Sequence, residues 1–498
     1  MQSSRNFSMN LADASASRHG KVLVLFAVLL PAMLAVVGLV LDGGILQDTY
    51  RRTQHVADAA ATAAAGKLRD GRPVADAVDE ARRVVMTLNG HTAATVNVKS
   101  PPQSGNYSGD RDAVEVELLE SADTHFYGFV GGSQAVSVHT RAVAGIRPTT
   151  ARSAIVVLDP DPPALSVPPL PAILPALPAL VGGLEIEGAG TVLVDGAVVV
   201  NTEWGGFDEN NEPTGDDNPP PYGIASLNLL TARRLRARDI RVVGGVDDPD
   251  AYGNFTSGKP SPLKAGKLPM PDPFSALPVP FVLADPSNVN PANRGGVSVS
   301  GLPIGPVQQV HPGVYDWLEI LSGRAFLHPG IYIIRGVNPA TQLALNILAA
   351  EVVGDGVMFY ITDSSGYSAI SGTPDSGDGE TQPAAPGALT LLPSAVINLT
   401  VPGSRLTGIS DSSSPYDGML LFQRRMDRRP VAIVTGILGS SRVSGTVYAK
   451  WGHVILASSG TVETAVVAGT VRIVAVLPTT IAPTRLLLPP AEDVYLLE

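Results

Sequence analysis

The longest apolar run of the chain lies close to its amino end. Residues 22–41, VLVLFAVLLPAMLAVVGLVL, are twenty uncharged and almost wholly apolar residues. At ~1.5 Å per residue, a helix of this length is about 30 Å long, which matches the hydrocarbon core of a bilayer. A cleaved signal peptide has a shorter apolar region of roughly 7–15 residues. The pattern therefore predicts a retained transmembrane helix.

The charges on either side of this run predict its orientation. Arg5, Arg18 and Lys21 precede it against a single acidic residue, and Asp42 follows it. Because basic residues favour the cytosolic side of a membrane, residues 1–21 are predicted to be a cytosolic head. The bulk of the chain is then expected on the other side.

After the apolar run, small residues take up helical spacing. The following segment is rich in alanine and free of proline as far as residue 68, which favours a helix. Val56, Ala60 and Ala64 recur every four residues and predict a narrow stripe suited to close packing. A second helix and several short runs with a period of two come next, and such runs are typical of strands. These elements predict an α+β module over 42–147.

Proline and glycine divide the rest of the chain. Residues 159–180 contain eight prolines, which excludes a helix or a central strand. We therefore predict a Pro-rich linker over 148–183, extended but able to pack partly on the next domain through its leucines. Short alternating runs separated by glycine or asparagine fill 184–476, and a C-terminal tail is predicted over 477–498.

A near-duplication predicts how these strands are arranged. HPGVY at 311–315 returns seventeen residues later as HPGIY at 328–332. Repeats of short β-branched strands are typical of a solenoid, whose coils stack inward side chains on one another. The repeat predicts a Pro-Gly turn, an inward Val314 or Ile331, and a tyrosine that stacks on its counterpart. We predict that 184–476 is a large all-β domain, a right-handed parallel β-helix, with a β-sandwich or jelly roll as the alternative.

Composition narrows the possible functions. The chain has 51 glycines and 43 prolines with 5% aromatic residues, which agrees with a β-rich protein that has many turns. A formal net charge of −11 argues against a nucleic-acid partner, because phosphate binding needs a basic face. The sequence has no cysteine, which excludes disulfides, thiolate metal sites and a cysteine nucleophile.

Two motifs near the amino end resemble those of a known family. They are the apolar run ending in an acidic-glycine step, VLDGG at 40–44, and the basic-to-alanine stretch RRTQHVADAAATAAA at 51–65. With THFYGFVGGSQAVSVHTRAVA at 124–144, residues 18–146 resemble the TadE/TadG-like amino-terminal module of Flp (tight-adherence) pilus assembly proteins. The resemblance implies membrane anchorage and service to a surface pilus, with other Tad/Flp assembly components or pilus subunits as partners.

One position departs from the pattern of type IV-like prepilins. These carry a glutamate five residues past the cleaved glycine, and counted from Gly20 that position is Leu25. We therefore expect an anchored accessory protein and not a processed pilin. Stretches of the β-rich region, such as DGMLLFQRR at 417–425, also resemble the carboxy-terminal regions of TadG-like proteins. That resemblance implies a β-helical outer domain and no catalytic residues.

Several patterns point to binding chemistry, but each is incomplete. His311 and His328 are two potential metal ligands without a third, so turn residues are the favoured interpretation. Residues 253–259 have the G-x-x-x-x-G-K spacing of a phosphate loop, but Pro260 stands where Ser or Thr is required. The acidic stretch 203–222 lacks the ligand order of an EF-hand, which favours a solvated loop over a Ca²⁺ site. Its candidate ligands are Asp208, Glu209, Asp216 and Asp217.

The enzyme alternative is a membrane-anchored β-helix enzyme that acts on polysaccharide. Such an enzyme would need two or three carboxylates that converge on one groove. The candidates are Asp316, Glu319, Asp355 and Asp363. The nucleophile motif G-x-S-x-G and the zinc motif H-E-x-x-H do not occur in the sequence.

Together these patterns predict a non-enzymatic, single-pass envelope protein of the bacterial inner membrane. We expect it to be associated with Flp/Tad pilus assembly or surface adhesion. Its outer domain is expected to contact pilus subunits, or cell-wall or external polysaccharide, and no nucleic acid. We expect no catalytic, cofactor-binding or metal-binding residues and no cofactor.

Overall fold

The chain divides into two compact units, each with its own core. Unit 1 comprises Met1–Arg147 with Val494–Glu498, and unit 2 comprises Pro148–Asp493. The computed structural model describes residues 19–127, 135–169, 176–215, 219–227, 234–285, 292–384, 389–436, 441–485 and 488–498. Most of the predicted cytosolic head, 1–21, therefore lies outside the described residues.

Unit 1 combines two helices with an antiparallel sheet. Helix α1 (His19–Arg69) includes both the apolar run and the alanine-rich segment, and it passes through Pro31. Gly71, whose φ is +71°, follows the end of α1. The remaining elements are helix α2 (Val74–Arg83), a π-helical turn (Val84–Leu88), and strands β1 (Thr95–Lys99), β2 (Ala113–Asp123) and β3 (Ala135–Val157). β2 pairs antiparallel with both β1 and β3.

The alanine stripe of α1 forms the centre of the unit 1 core. Val56 is 6% exposed, and Ala60 and Ala64 have no exposed surface, so the predicted stripe is confirmed. These residues pack with Ala81 of α2 and Val116 of β2 in one hydrophobic cluster. Because alanine adds little beyond the backbone, α1 can lie close to both of its neighbours.

Unit 2 is built from many strands, most of them short. They are β4 (Leu165–Ser166), β5 (Gly182–Glu187), β6 (Val192–Val200), β7 (Gly206–Phe207), β8 (Pro213–Thr214), β9 (Tyr222–Ser226), β10 (Leu235–Val242), β11 (Tyr252–Asn254), β12 (Leu263–Lys264), β13 (Asn293–Val299), β14 (Gln308–Val310), β15 (Gly313–Leu327), β16 (Gly330–Ile334), β17 (Leu345–Gly354), β18 (Val357–Ile361), β19 (Leu389–Thr390), β20 (Ala395–Leu399), β21 (Arg405–Thr407), β22 (Met419–Gln423), β23 (Pro430–Thr435), β24 (Arg442–Ile481) and β25 (Pro490–Leu496). Short 3-10 turns occupy Pro249–Ala251 and Asp375–Gly377.

The strands of unit 2 pair mostly in parallel. One row of facing residues passes from β15 through β17, β20 and β23 to β24. Its members are Ile320, Ile347, Ile397, Ile433 and Leu456, and all belong to one buried cluster. Parallel strands about 4.8 Å apart bring like side chains into register, which explains the aliphatic row. The large all-β domain is confirmed, and its parallel pairing differs from the antiparallel pairing of sandwiches and jelly rolls.

Strand β24, near the end of unit 2, pairs with strands from its beginning. Val466 faces Ile155 of β3, and Val471 faces Leu184 of β5. Farther along β24, Thr479 faces Val192 of β6. All three pairings are parallel. They make strands that are about 290 or more residues apart neighbours in the structure.

The duplicated segment confirms one expectation and corrects another. The rings of Tyr315 and Tyr332 stack with centroids 6.0 Å apart, as predicted. The inward placement expected for Val314 and Ile331 was wrong. The two tyrosines lie in the main core, whereas the two aliphatic residues lie in a second buried cluster. Neighbouring residues of a strand point to opposite faces, so both faces are covered here.

A segment without regular secondary structure covers this second face. Met270 and Val279 are buried in the second cluster, and Phe274 and Leu277 pack against it. The guanidinium of Arg425 donates hydrogen bonds to the carbonyls of Phe274 at 2.8 Å and Leu277 at 2.5 Å. Strands buried on both faces read as continuous apolar runs, which explains sequences such as MLLFQ in β22.

The described parts of the Pro-rich segment belong to unit 2. Residues 148–157 of the predicted linker, 148–183, are the end of β3. Val167 and Leu177 are buried and join a small cluster with Val396 and other residues of the neighbouring strands. The described residues Val167 and Leu177 of this segment therefore pack on strands that follow it in the sequence.

Candidate functional site

The carboxylate of Asp42 holds a backbone segment against α1. Its oxygens accept hydrogen bonds from the N–H groups of His125 at 2.9 Å, Phe126 at 2.8 Å and Tyr127 at 2.5 Å. Burial raises the pKa of Asp42, but the three backbone hydrogen bonds outweigh it, and the pKa lies below its ordinary value. Asp42 is therefore an ionised carboxylate in a fixed position.

A glycine one turn earlier allows the same segment to approach the helix. A Cβ at Gly38 would overlap the ring of Phe126. Residues four apart lie on one face of a helix, so Gly38 and Asp42 together receive the segment. We call Gly38, Asp42 and residues 125–127 the Asp42 clamp.

The part of α1 before the clamp exposes large apolar side chains. Leu23 is 73% exposed and Leu39 is 72% exposed. Among the described residues, α1 is the one helix long and apolar enough to cross a membrane. An apolar surface of this extent is unusual in water and matches lipid in length and composition. The clamp thus lies where the predicted span, 22–41, ends.

Replacing Asp42 by alanine is expected to release the clamped segment. Three backbone N–H groups would lose their acceptor, and an unsatisfied buried donor is unfavourable. We expect limited proteolysis of the full chain to cut at 124–127 at least ten times faster than in the wild type. Because the folded-state pKa of Asp42 is lowered, the clamp stabilises the fold above the unfolded-state pKa. That stability is lost as the pH falls through the folded-state pKa, so the wild type should also open in acid.

Asp48→Asn is the matched control for this prediction. Asp48 lies on the same helix and pairs with Arg52 at 2.8 Å, but both side chains are 65% exposed. Exposed ion pairs contribute little, so the control should be cut at the wild-type rate. Equal rates for all three proteins would show that Asp42 does not hold the segment.

The four carboxylates considered as a catalytic set each have a different partner. Asp316 pairs with Arg335 at 2.9 Å, Glu319 accepts from Asn338 at 2.7 Å, Asp355 pairs with Arg405 at 2.7 Å, and Asp363 pairs with Arg424 at 2.6 Å. None of these partners is shared, so the contacts do not join the four acids into one group. Within the described ranges, no three His, Asp or Glu side chains are grouped in a way that could hold a metal ion.

The two repeated histidines stack on each other. The rings of His311 and His328 lie 4.1 Å apart at 11°, and Nε2 of His328 is 2.9 Å from the side-chain oxygen of Gln309. Desolvation of the exposed His311 ring and the neighbouring His328 lower the pKa of His311. Two stacked rings provide no converging ligand set, which agrees with their interpretation as turn residues.

The acidic stretch 203–222 and the segment 253–259 are the two remaining candidates from the sequence, and their described residues include turns. Asp208 accepts hydrogen bonds at 2.8 Å from two backbone N–H groups of its own loop, and Glu209 accepts one at 3.0 Å from Ala265. Asp216 and Asp217 lie outside the described residues. The segment with phosphate-loop spacing begins in β11 and is followed by turns and then β12. A phosphate loop requires a helix at that point.

The clamp is the feature that sequence reasoning did not find. Both of its parts lie in stretches singled out for their resemblance, the acidic-glycine step and the THFYG segment. An acidic residue directly after a long apolar run was the available signal. What the sequence did not indicate was the partner of that carboxylate, which lies 83–85 positions away.

A comparison with known protein families finds a match for the segment of α1 that contains Gly38 and Asp42 of the clamp. Residues 20–67 match a family model described as Putative Flp pilus-assembly TadE/G-like. The match includes Gly38, Asp42 and the buried alanines of α1, and it confirms the resemblance of the amino-terminal module. It supports an association with pilus assembly and with a membrane. No curated protein and no solved structure gives a significant match.

Proposed function

We propose that the protein is a non-enzymatic, single-pass envelope protein that serves Flp/Tad pilus assembly. The observation that carries the proposal is the TadE/G-like match at 20–67, which coincides with an exposed apolar helix. In this proposal residues 22–41 cross the inner membrane and residues 1–21 stay in the cytosol. Unit 2 is periplasmic or outward-facing, as the basic residues before the span favour.

The Asp42 clamp gives the module a defined exit from the membrane. α1 continues from the apolar run into the buried alanine stripe, so the anchor and the unit 1 core share one helix. An ionised Asp42 favours a position at the water-facing end of the span. The clamp therefore serves to fix the start of the folded module at the membrane surface.

For unit 2 the proposal includes a right-handed parallel β-helix. The parallel rows from β15 to β24 support it, because stacked parallel pairs are what successive coils would make. Parallel connections within one sheet are right-handed in nearly all proteins, which supports that hand. Its long sides would offer surfaces to pilus subunits or to an external surface in adhesion.

A structural role is favoured over an anchored polysaccharide enzyme. Hydrolases of sugars place two carboxylates on either side of one bond. Asp316, Glu319, Asp355 and Asp363 have separate partners instead. These contacts support a scaffold and give no specific support to the enzyme.

Shearing and fractionation of cells would test the proposal. Glu498 contacts Arg141 and Asn106, so an internal tag is preferable to one at that end. Ile304, 95% exposed between β13 and β14, is a suitable insertion site. Full-length protein confined to washed membranes, together with fewer surface pili in a deletion strain, is the expected result.

Three other results would contradict parts of the proposal. A shortened form in the sheared filaments would indicate a processed minor pilin. A soluble, released product would argue against the anchor. Membrane-bound protein with unchanged piliation in the deletion strain would indicate an adhesin that does not serve pili.

A further inference from the structure

A polar groove of about 780 Å³ follows the turns of unit 2. Pro312, Pro329 and Gly356 lie along it, just before β15, β16 and β18 respectively. Thr407 of β21 and Ser444 of β24 continue it. β15, β16 and β18 pair in succession in one parallel row, and β21 pairs with β24 in the row beside it. The groove follows the turns that connect the two rows. Five levels about 4.8 Å apart give it a length of roughly 20 Å.

Hydroxyl groups line the groove at successive levels. Thr407 and Ser444 face each other in the register of β21 and β24. The Ser444 hydroxyl lies 3.0 Å from the hydroxyl of Thr484, which is exposed. Thr407 accepts a hydrogen bond from the N–H of Gly356 at 3.1 Å. The Thr407 hydroxyl donates in turn to Asp355 at 3.4 Å, and the Thr484 hydroxyl donates to Glu463 at 3.1 Å. The row therefore holds its hydroxyl oxygens in position chiefly as acceptors.

Two arginines in the groove are held in fixed orientations. Arg485 donates to the carbonyl of Ile409 at 3.1 Å and to the hydroxyl of Ser410 at 2.9 Å. Arg442 pairs with Glu463 at 2.6 Å. A guanidinium held this way keeps a planar set of donors in one direction, which suits recognition of neighbouring hydroxyls.

The charge of the groove selects against a polyanion. Arg442 and Arg485 are balanced by Asp355 and Asp411 among its lining residues. A ligand with a carboxylate on every unit would meet acidic side chains as often as basic ones. The balance favours an uncharged ligand that hydrogen-bonds with both signs of group.

The groove is also a poor match for a peptide. Ile409 is its large aliphatic lining residue, and it is only 2% exposed, so it offers no apolar anchor. Strand addition needs a free strand edge, whereas the strands that border the groove already pair with the levels beside them.

We infer that this groove binds an uncharged polysaccharide chain lying along the stack of strands. The chain's hydroxyls would meet the arginine donors and the hydroxyl and carboxylate acceptors that line the groove from Asp355 to Arg485. The inference goes beyond pilus assembly and does not depend on the membrane anchor.

The test uses the purified full chain in detergent and two neutral probes, cellohexaose and chitohexaose. We expect at least one of them to bind, measured by calorimetry, and Thr484→Trp to weaken binding at least tenfold by filling the groove. Ala340→Trp introduces the same side chain at an exposed turn outside the groove and should leave affinity unchanged. Hexagalacturonate, the anionic comparison, should bind at least tenfold more weakly.

Each contrary result overturns the inference. These results are no binding of either neutral hexasaccharide by the wild type, equal affinities for the wild type and Thr484→Trp, or a preference for hexagalacturonate. Fractionation of Thr484→Trp cells is measured in parallel. A normal membrane fraction for both proteins, together with no binding of either neutral hexasaccharide by the wild type, would refute the groove site and leave the pilus proposal standing.

Discussion

Replacing Val36 by aspartate is expected to remove most of the protein from the membrane fraction or to lower its abundance sharply. Val36 lies within the predicted span and is 62% exposed, so the change adds a carboxylate without opening a cavity. An aspartate near the centre of a spanning helix costs roughly 3 kcal/mol on insertion scales. That corresponds to about a hundredfold shift in the insertion equilibrium. Quantitative blots of membrane and soluble fractions would measure it.

Two control variants separate charge from position. Val36→Leu changes the same site without adding a charge and should fractionate as the wild type does. Gln47→Asp adds the same charge on an exposed position of α1 beyond the span, where water solvates it. If Val36→Asp behaves like both controls, residues 22–41 do not anchor the protein.

Features with short-range periodicity could be predicted from the sequence. The alanine stripe of α1 follows from four-residue spacing, and its burial in unit 1 agrees with it. The stacked tyrosines, Tyr315 and Tyr332, follow from a literal repeat in the chain. In both cases the residues that share a face recur at a short, regular spacing, so the sequence shows which residues are buried or stacked without naming the distant elements that cover them.

Features that depend on distant contacts could not be predicted. Nothing local in Val466 or Val471 indicates that β24 pairs with β3 and β5. Nor does the sequence of 270–279 indicate that it covers the second face of the stacked strands. For the same reason Val314 and Ile331 were expected in the main core: apolar residues on both faces look alike until the covering segment is known.

The candidate site likewise combines a feature that the local sequence indicates with contacts that it does not. Asp42 was noted at the end of the apolar run, but its role depends on backbone donors at 125–127, and backbone groups leave no composition signal. The four candidate catalytic acids were noted because they lie near strands. Their partners decided their role, and those partners are mostly arginines on neighbouring strands or turns.

Replacing Arg472 by methionine is expected to destabilise unit 2 strongly. Arg472 of β24 and Glu185 of β5 are 1% and 0% exposed, and the guanidinium donates to the Glu185 carboxylate where β24 pairs with β5. Burial already raises the pKa of Glu185, and without Arg472 its charge would be uncompensated. Breaking a buried pair costs roughly 3–5 kcal/mol. We expect thermal unfolding of unit 2 at least about 5 °C below that of the wild type.

A matched exposed pair and a double variant show whether burial is the cause. Arg324 of β15 pairs with Glu351 of β17 at 2.8 Å, but these side chains are 40% and 29% exposed. Arg324→Met should therefore cost under about 1 kcal/mol. Replacing Arg472 and Glu185 together by methionine should recover much of the loss, because no buried charge is then left unpaired. If Arg472→Met is as mild as Arg324→Met, the stability of unit 2 does not depend on this contact between β5 and β24.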